Sequence, residues 1–306
     1  MTETVGFIGL GKMGQPMVRR LLAASYRLAI HDLDERATAP YQDNPAVTVC
    51  ASPRAVAEQA GVVLLSLPTP EALHAVVLGE DGITRAGTVD CIIDLSTSGA
   101  TATRAVAAEL VRLGVGFLDA PVSGGVSGAA QGTLSVIVAG DAALYEGYRE
   151  LLTVIGRNVF YVGSEAGQGQ AMKLVNNILS ATALAATAEA MAVATKAGIA
   201  PSVALAILNV SSGRNSATQE KFPRNVVTGT FDAGFATQLM YKDVKLFEAL
   251  AEELGVPVTV CRSVIGAWHL AVTQGLGPED FTTIARMVEA MSGVEIRDRP
   301  SRPTSD

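Results

Sequence analysis

The stretch that most constrains this chain is its beginning. An apolar run at 4–8 leads directly into Gly9-Leu10-Gly11-Lys12-Met13-Gly14, and a helical pattern follows over 13–24. In a chain with 30 glycines a lone G-x-G-x-x-G carries little weight. Between a strand and a helix it has a physical meaning. Gly9 permits the tight turn, Gly11 lets a ligand approach the backbone, and Gly14 lets the helix pack closely on the strand. The free N–H groups at the helix start, with Leu10, Lys12 and Met13 completing the loop, suit a pyrophosphate. Asp32 ends the next apolar strand, 18 residues beyond Gly14. A carboxylate there accepts hydrogen bonds from an adenosine ribose and repels a 2′-phosphate, which favours NAD over NADP. Asp34 and Arg36 follow closely, and Arg36 partly offsets that repulsion.

The alternation continues. Segments 27–31, 47–50, 62–67, 91–95, 116–119 and 135–139 read as strands, with helices such as 53–60 and 100–113 between them. Strands alternating with helices of this length predict a mainly parallel sheet covered on both faces. The pattern changes near Gly163. Residues 167–197 form one long run of helix formers stopped by Gly198, and 201–208, 236–254, 258–274 and 281–291 read as further helices. The expected architecture is an α/β Rossmann-type domain over 1–164 and an all-α domain over 165–292. A charged, Pro-rich tail over 293–306 is expected to be disordered.

Size and charge narrow the function classes. A length of 306 residues suits two domains, and 49% hydrophobic against 17% charged residues predicts a large core. A net charge of −7 without a basic run argues against nucleic acid as a partner. Cys50, Cys91 and Cys261 make no C-x-x-C pair, and His31, His74 and His269 are equally scattered, so no metal site is predicted. The N-terminus lacks the charged region and cleavage site of a signal peptide. The apolar stretch 178–195 contains Glu189 and reads as a buried helix rather than a membrane span. A cytoplasmic protein is therefore expected.

Three other segments exceed the needs of packing. Asp119-Ala-Pro-Val-Ser123-Gly124-Gly125 is a polar, Gly-rich turn after a strand, where consecutive N–H groups and a hydroxyl suit a carboxylate. Gly167-Gln-Gly-Gln-Ala-Met-Lys173-Leu-Val-Asn-Asn177 opens the long helix, and Lys173 and Asn177 share one face at i and i+4. An inward lysine beside an amide is a demanding arrangement, although a lone lysine would normally reach solvent. Lys242-Asp243, taken alone, reads as an ordinary solvated pair.

Together these segments resemble the β-hydroxyacid dehydrogenase family, with matching motifs GFIGLGKMGQPM, DAPVSGG, GQGQAMKLVNN and KD in order from Gly6 to about Val288. The weaker LP at Leu67-Pro68 and DLST ending at Thr97 also correspond. The resemblance implies that Lys173 is catalytic and that Asn177 positions the substrate hydroxyl. Ser123, Gly124 and Gly125 would hold a small anionic hydroxy acid. Leu67, Pro68, Thr97 and Lys242 would line the nicotinamide, and the long helix would help form a homodimer or homotetramer. Around 212–216 many relatives carry an aromatic residue where this chain has Asn215 and Ser216, which leaves the substrate's identity open. An amine acts as base only when neutral, so the lysine's surroundings are expected to lower its pKa. An imine reductase of the same fold usually lacks the lysine. A non-catalytic dinucleotide-binding relative would have lost it as well.

Overall fold

The computed structural model describes residues 4–298. The seven apolar runs of the first half become strands, and β7 and β9 join them: β1 (Thr4–Ile8), β2 (Arg27–His31), β3 (Val47–Val49), β4 (Val62–Leu65), β5 (Cys91–Asp94), β6 (Gly116–Asp119), β7 (Val122–Ser123), β8 (Ser135–Gly140) and β9 (Asn158–Gly163). They form one sheet in the order β3-β2-β1-β4-β5-β6-β8-β7, with β9 on β8. Strands β1 to β6 are parallel, β8 runs against β6 and β7, and β9 runs parallel to β8. Every residue of β4 and β5 is buried, as expected of central strands covered on both faces. The covering helices are α1 (Gly14–Ala23), α2 (Glu35–Thr38), α3 (Pro53–Ala57), α4 (Pro70–Leu78), α5 (Ala100–Arg112), α6 (Gly125–Gln131) and α7 (Ala142–Ile155). Strand order reverses between β1 and β4, and the crevice beyond the strand ends there is where open α/β sheets bind ligands.

Strands β7 and β9 were not legible in the sequence. The first is only two residues long within a glycine-rich turn. The second is an edge strand whose Val159 packs on the core and whose Tyr161 stacks on Tyr145 while Phe160 and Val162 are exposed, so both of its faces are apolar and no apolar/polar alternation marks it.

The chain divides into two compact units, one ending at Leu174 and one beginning at Val175. The division falls inside the long helix α8 (Gln168–Lys196), ten residues past the expected 164. The second unit continues with α9 (Pro201–Asn209), a wide π-type helix (Ala217–Val226), α10 (Thr237–Glu253), α11 (Thr259–Ala271) and α12 (Ile284–Ser292). Its core is built on Trp268, Phe222, Leu184, Met240 and Ile284. The π-type helix is absent from the sequence reading because Pro223 sits inside it. Proline removes an N–H that an α-helix needs, which a sequence reader takes as a stop. Helix α8 is long and apolar enough to cross a membrane by length and composition alone. Its Ile178, Ala181, Leu184, Ala188 and Met191 are instead buried in the core of the second unit.

The expected disorder from 293 onward is corrected for 293–298. Ile296 is fully buried and its N–H donates to Glu289 Oε1 at 2.6 Å, while Asp298 Oδ1 accepts the Ser202 N–H at 3.1 Å. The rest of that tail, 299–306, lies outside the described residues.

Candidate functional site

The glycine-patterned turn divides its labour. Gly9 has φ of +95°, and a side chain there would place Cβ 2.2 Å from the Ser66 carbonyl oxygen. At Gly14 it would lie 1.9 Å from the Gly9 carbonyl oxygen. Beside Gly11 there is nothing within 4 Å. The outer glycines are thus required by the protein's own backbone, and the middle one borders open space, the shape a pyrophosphate needs. Asp32 is fixed in place: Oδ2 accepts the Leu10 N–H at 2.6 Å and Oδ1 the Asp34 N–H at 2.8 Å. Each oxygen keeps a lone pair for a ribose hydroxyl. A cavity of about 420 Å³, lined by Gly11, Lys12, Arg19, Asp32 and Arg36 among others, lies against this turn and is of ligand-binding size. Arg36 is not a free cation within it. Its Nε and Nη2 donate to Asp34 Oδ1 and Oδ2, both at 2.9 Å, and that pair holds the Asp34 carboxyl below its ordinary value. Leu67 and Pro68 follow β4 and Thr97 follows β5, at the same edge of the sheet, where the Leu67 N–H donates to Ser96 Oγ at 2.8 Å.

The carboxylate-binding candidates lie further along that sheet. Ser123 in β7 stands opposite Ser135 of β8. Gly124 and Gly125 follow with φ of +132° and +65°, a backbone path that disfavours side chains, and Gly125 opens α6. Lys173 is buried on the second turn of α8. One turn earlier, Gln170 is fully buried and hydrogen-bonded to the loop after β5. Sequence reasoning passed over Gln170, although its place three residues before Lys173 puts it on the same helical face.

In the second unit, Asn177 Nδ2 donates to Asp243 Oδ2 at 2.6 Å, and Lys242 Nζ lies 3.1 Å from Asp243 Oδ1. That oxygen lacks a well-angled hydrogen bond, so its link to Lys242 is an ion pair by proximity. Asp243 is 1% exposed, so Lys242-Asp243 is not the solvated pair its sequence suggested. A buried carboxylate can only accept here, which settles which end of the Asn177 amide faces it. Asp243 stood in the KD motif without a role of its own, because nothing in the sequence ties position 243 to position 177. The Asn215 side chain is occupied as a cap. Its Oδ1 accepts the Ala217 and Thr218 N–H groups at 2.8 and 3.1 Å, and its Nδ2 donates to the Gly213 carbonyl at 3.1 Å.

Comparisons with known proteins agree along the chain. Residues 4–163 match the model of the NAD binding domain of 6-phosphogluconate dehydrogenase, and 167–288 match the NAD-binding model of NADP-dependent 3-hydroxyisobutyrate dehydrogenase. The 2-(hydroxymethyl)glutarate dehydrogenase of Eubacterium barkeri is 34% identical over 295 residues, covering 95% of this chain and 97% of that protein. The mitochondrial 3-hydroxyisobutyrate dehydrogenase of Homo sapiens is 36% identical over 290 residues, covering 92% and 85%. Among solved structures, Mycobacterium tuberculosis 3-hydroxyisobutyrate dehydrogenase with L-serine has a TM-score of 0.82 at 30% identity, covering 94% of this chain and 99% of that one.

Proposed function

This chain belongs to the β-hydroxyacid dehydrogenase family, and from that membership we propose that it oxidises the β-hydroxyl of a small 3-hydroxy acid to the semialdehyde, or runs the reverse reduction, with NAD as cofactor. In its coarser form the activity follows from the family: an NAD(P)-binding oxidoreductase of the hydroxyacid dehydrogenase type. The finer reading is carried by one observation. Lys173 and Asn177 are both buried polar residues one turn apart on α8. Burying them without a task is unfavourable.

Lys173 takes the hydroxyl proton on oxidation and returns one to the carbonyl oxygen on reduction. Asn177 gives one amide hydrogen to Asp243 and keeps the other for the substrate oxygen. Ser123 with the backbone at Gly124 and Gly125 receives the carboxylate. When bound, the nicotinamide would supply the hydride acceptor, and Leu67, Pro68 and Thr97, beyond the ends of β4 and β5, would line its place. The named relatives support the substrate class. 2-(Hydroxymethyl)glutarate, 3-hydroxyisobutyrate and L-serine all contain a hydroxymethyl group one carbon from a carboxylate. Only the third substituent differs.

The preference for NAD rests on Asp32, whose carboxylate repels a 2′-phosphate, while the exposed Arg36, paired with Asp34, offsets that repulsion only in part. Lys173→Ala tests the reading. Turnover is expected to fall roughly 10²–10⁴-fold with cofactor binding retained; normal turnover would remove the lysine from the chemistry.

A further inference from the structure

Two fully buried carboxylates stand side by side at the C-terminal edge of the sheet, Asp94 ending β5 and Asp119 ending β6 in register. Asp94 is satisfied locally. Its Oδ1 accepts the Ser96 N–H and its Oδ2 the Ser98 hydroxyl, both at 3.0 Å. Asp119 turns to α8 instead. Its Oδ2 accepts the Gln170 N–H at 2.9 Å, and its Oδ1 has no hydrogen-bond partner. A strand-end carboxylate thus takes one of the amides that a helix leaves unbonded in its first turn. The Gln170 side chain closes the clamp. Its Oε1 accepts the Ser98 and Gly99 N–H groups at 3.0 and 3.2 Å, and its Nε2 donates to the Ser96 carbonyl at 3.1 Å. Gly169 permits this closeness, since a Cβ there would lie 2.7 Å from the Ile137 carbonyl oxygen and 2.8 Å from Asp119 Oδ2. Lys173 follows Gln170 by one turn on the same face.

We propose that Asp119 is a positioning residue for Lys173: by holding the first turn of α8 against the sheet through the Gln170 N–H, its carboxylate fixes where the lysine amine lies. This rests on the reading of Lys173 as general acid and base. Burial foremost, and the Asp94 charge after it, lift the Asp119 carboxyl to about 7 against the pull of the Gln170 and Gly167 N–H groups. The neighbouring elements carry Arg104 and Arg112 on α5, Arg149 on α7 and Lys173 and Lys196 on α8; of these, Arg104 lies beside Gly167. A carboxylate accepts more strongly than a neutral carboxyl, so the hold on α8 tightens as pH rises through about 7.

Asp119→Asn keeps an oxygen for the Gln170 N–H and removes the charge. The expected result is a kcat roughly 10-fold lower at pH 8 with the cofactor KM unchanged. The kcat rise through pH 7 should disappear, and the unfolding midpoint at pH 8 should be unchanged or higher. A wild-type kcat with a wild-type pH profile would overturn the proposal. So would a loss of kcat matched by a loss of thermal stability, the mark of a cap that serves folding alone. Lys173→Ala measured alongside separates the two levels. Normal turnover in that variant takes both readings with it, whereas an inactive Lys173→Ala beside a normal Asp119→Asn removes only the positioning role.

Discussion

Asp32 and Asp119 are both strand-end carboxylates, and their surroundings give them different tasks. Asp32 is tied to the glycine turn by the Leu10 N–H, so Asp32→Ala should do two things. It should narrow the preference for NAD over NADP by removing the like charge, and it should weaken NAD itself by loosening the turn. Cofactor KM values measured with both nucleotides check this, and equal use of both by the wild type would contradict the role given to Asp32. Asp119 makes a prediction about stability. Its carboxyl is raised to about 7 in the fold, against about 3.9 in an unfolded chain. Below pH ~4 both states hold the proton and nothing is lost. As pH rises from about 4 to about 7 the unfolded state releases its proton first, so the fold loses about 3–4 kcal/mol through this group. Asn at 119 has no such loss, and its unpaired buried amide costs about 1–3 kcal/mol at every pH. The difference in unfolding free energy between wild type and Asp119→Asn should therefore shift in the variant's favour from pH 5 to pH 8. A pH-independent difference would show that burial does not lift the carboxyl.

Helices α8 and α11 illustrate how the same residue type has opposite consequences in two elements. At Gly169 of α8 a methyl group meets the Ile137 and Asp119 backbone oxygens at 2.7 and 2.9 Å, which cannot rotate away. Gly169→Ala should destabilise the protein by about 1–3 kcal/mol and lower kcat as α8 is pushed off the sheet. At Gly266 of α11 nothing lies within 4 Å, and the backbone is helical. Gly266→Ala should stabilise by about 0.5–1 kcal/mol. Thermal unfolding of the two variants side by side checks both signs.

At the scale of the molecule, two expectations concern the exposed surface and the carboxylate loop. Leu179 and Val193 are 64% and 70% exposed on one long helix, and Phe160 is 55% exposed on the edge strand. Exposed apolar groups of this size suit the association of copies of this chain. Light scattering on the eluting protein should give a homodimer or homotetramer, and Leu179→Glu with Val193→Glu should shift it toward monomer. A wild-type monomer would refute the oligomer. The second expectation is that 3-hydroxy acids are oxidised far faster than alcohols of equal size. Ser123, half-buried, and Gly124, exposed, offer a carboxylate charge-assisted hydrogen bonds that the alkyl end of an alcohol cannot accept. Equal kcat/KM for matched acids and alcohols would rule out an anion site.

The sequence by itself determined the features that depend on local periodicity and on short motifs. Strands β1 to β6, helices α1, α5 and α8, the Gly9 to Gly14 turn and the i, i+4 pairing of Lys173 with Asn177 all follow from residues close together in the chain. Other features needed distant residues to meet. Strand β9 is apolar on both faces without alternation, the 217–226 helix holds Pro223 within a wide π-type turn, and Ile296 is buried by a core formed elsewhere in the chain. The same holds at the site. Asp243 reaches Asn177 across 66 positions, and Asp119 reaches Gln170 across 51. A carboxylate's partner is set by which elements the fold brings within about 3 Å, and its protonation by how completely they exclude water. Neither property is encoded in the few residues on either side of it, so only the tertiary structure decided them.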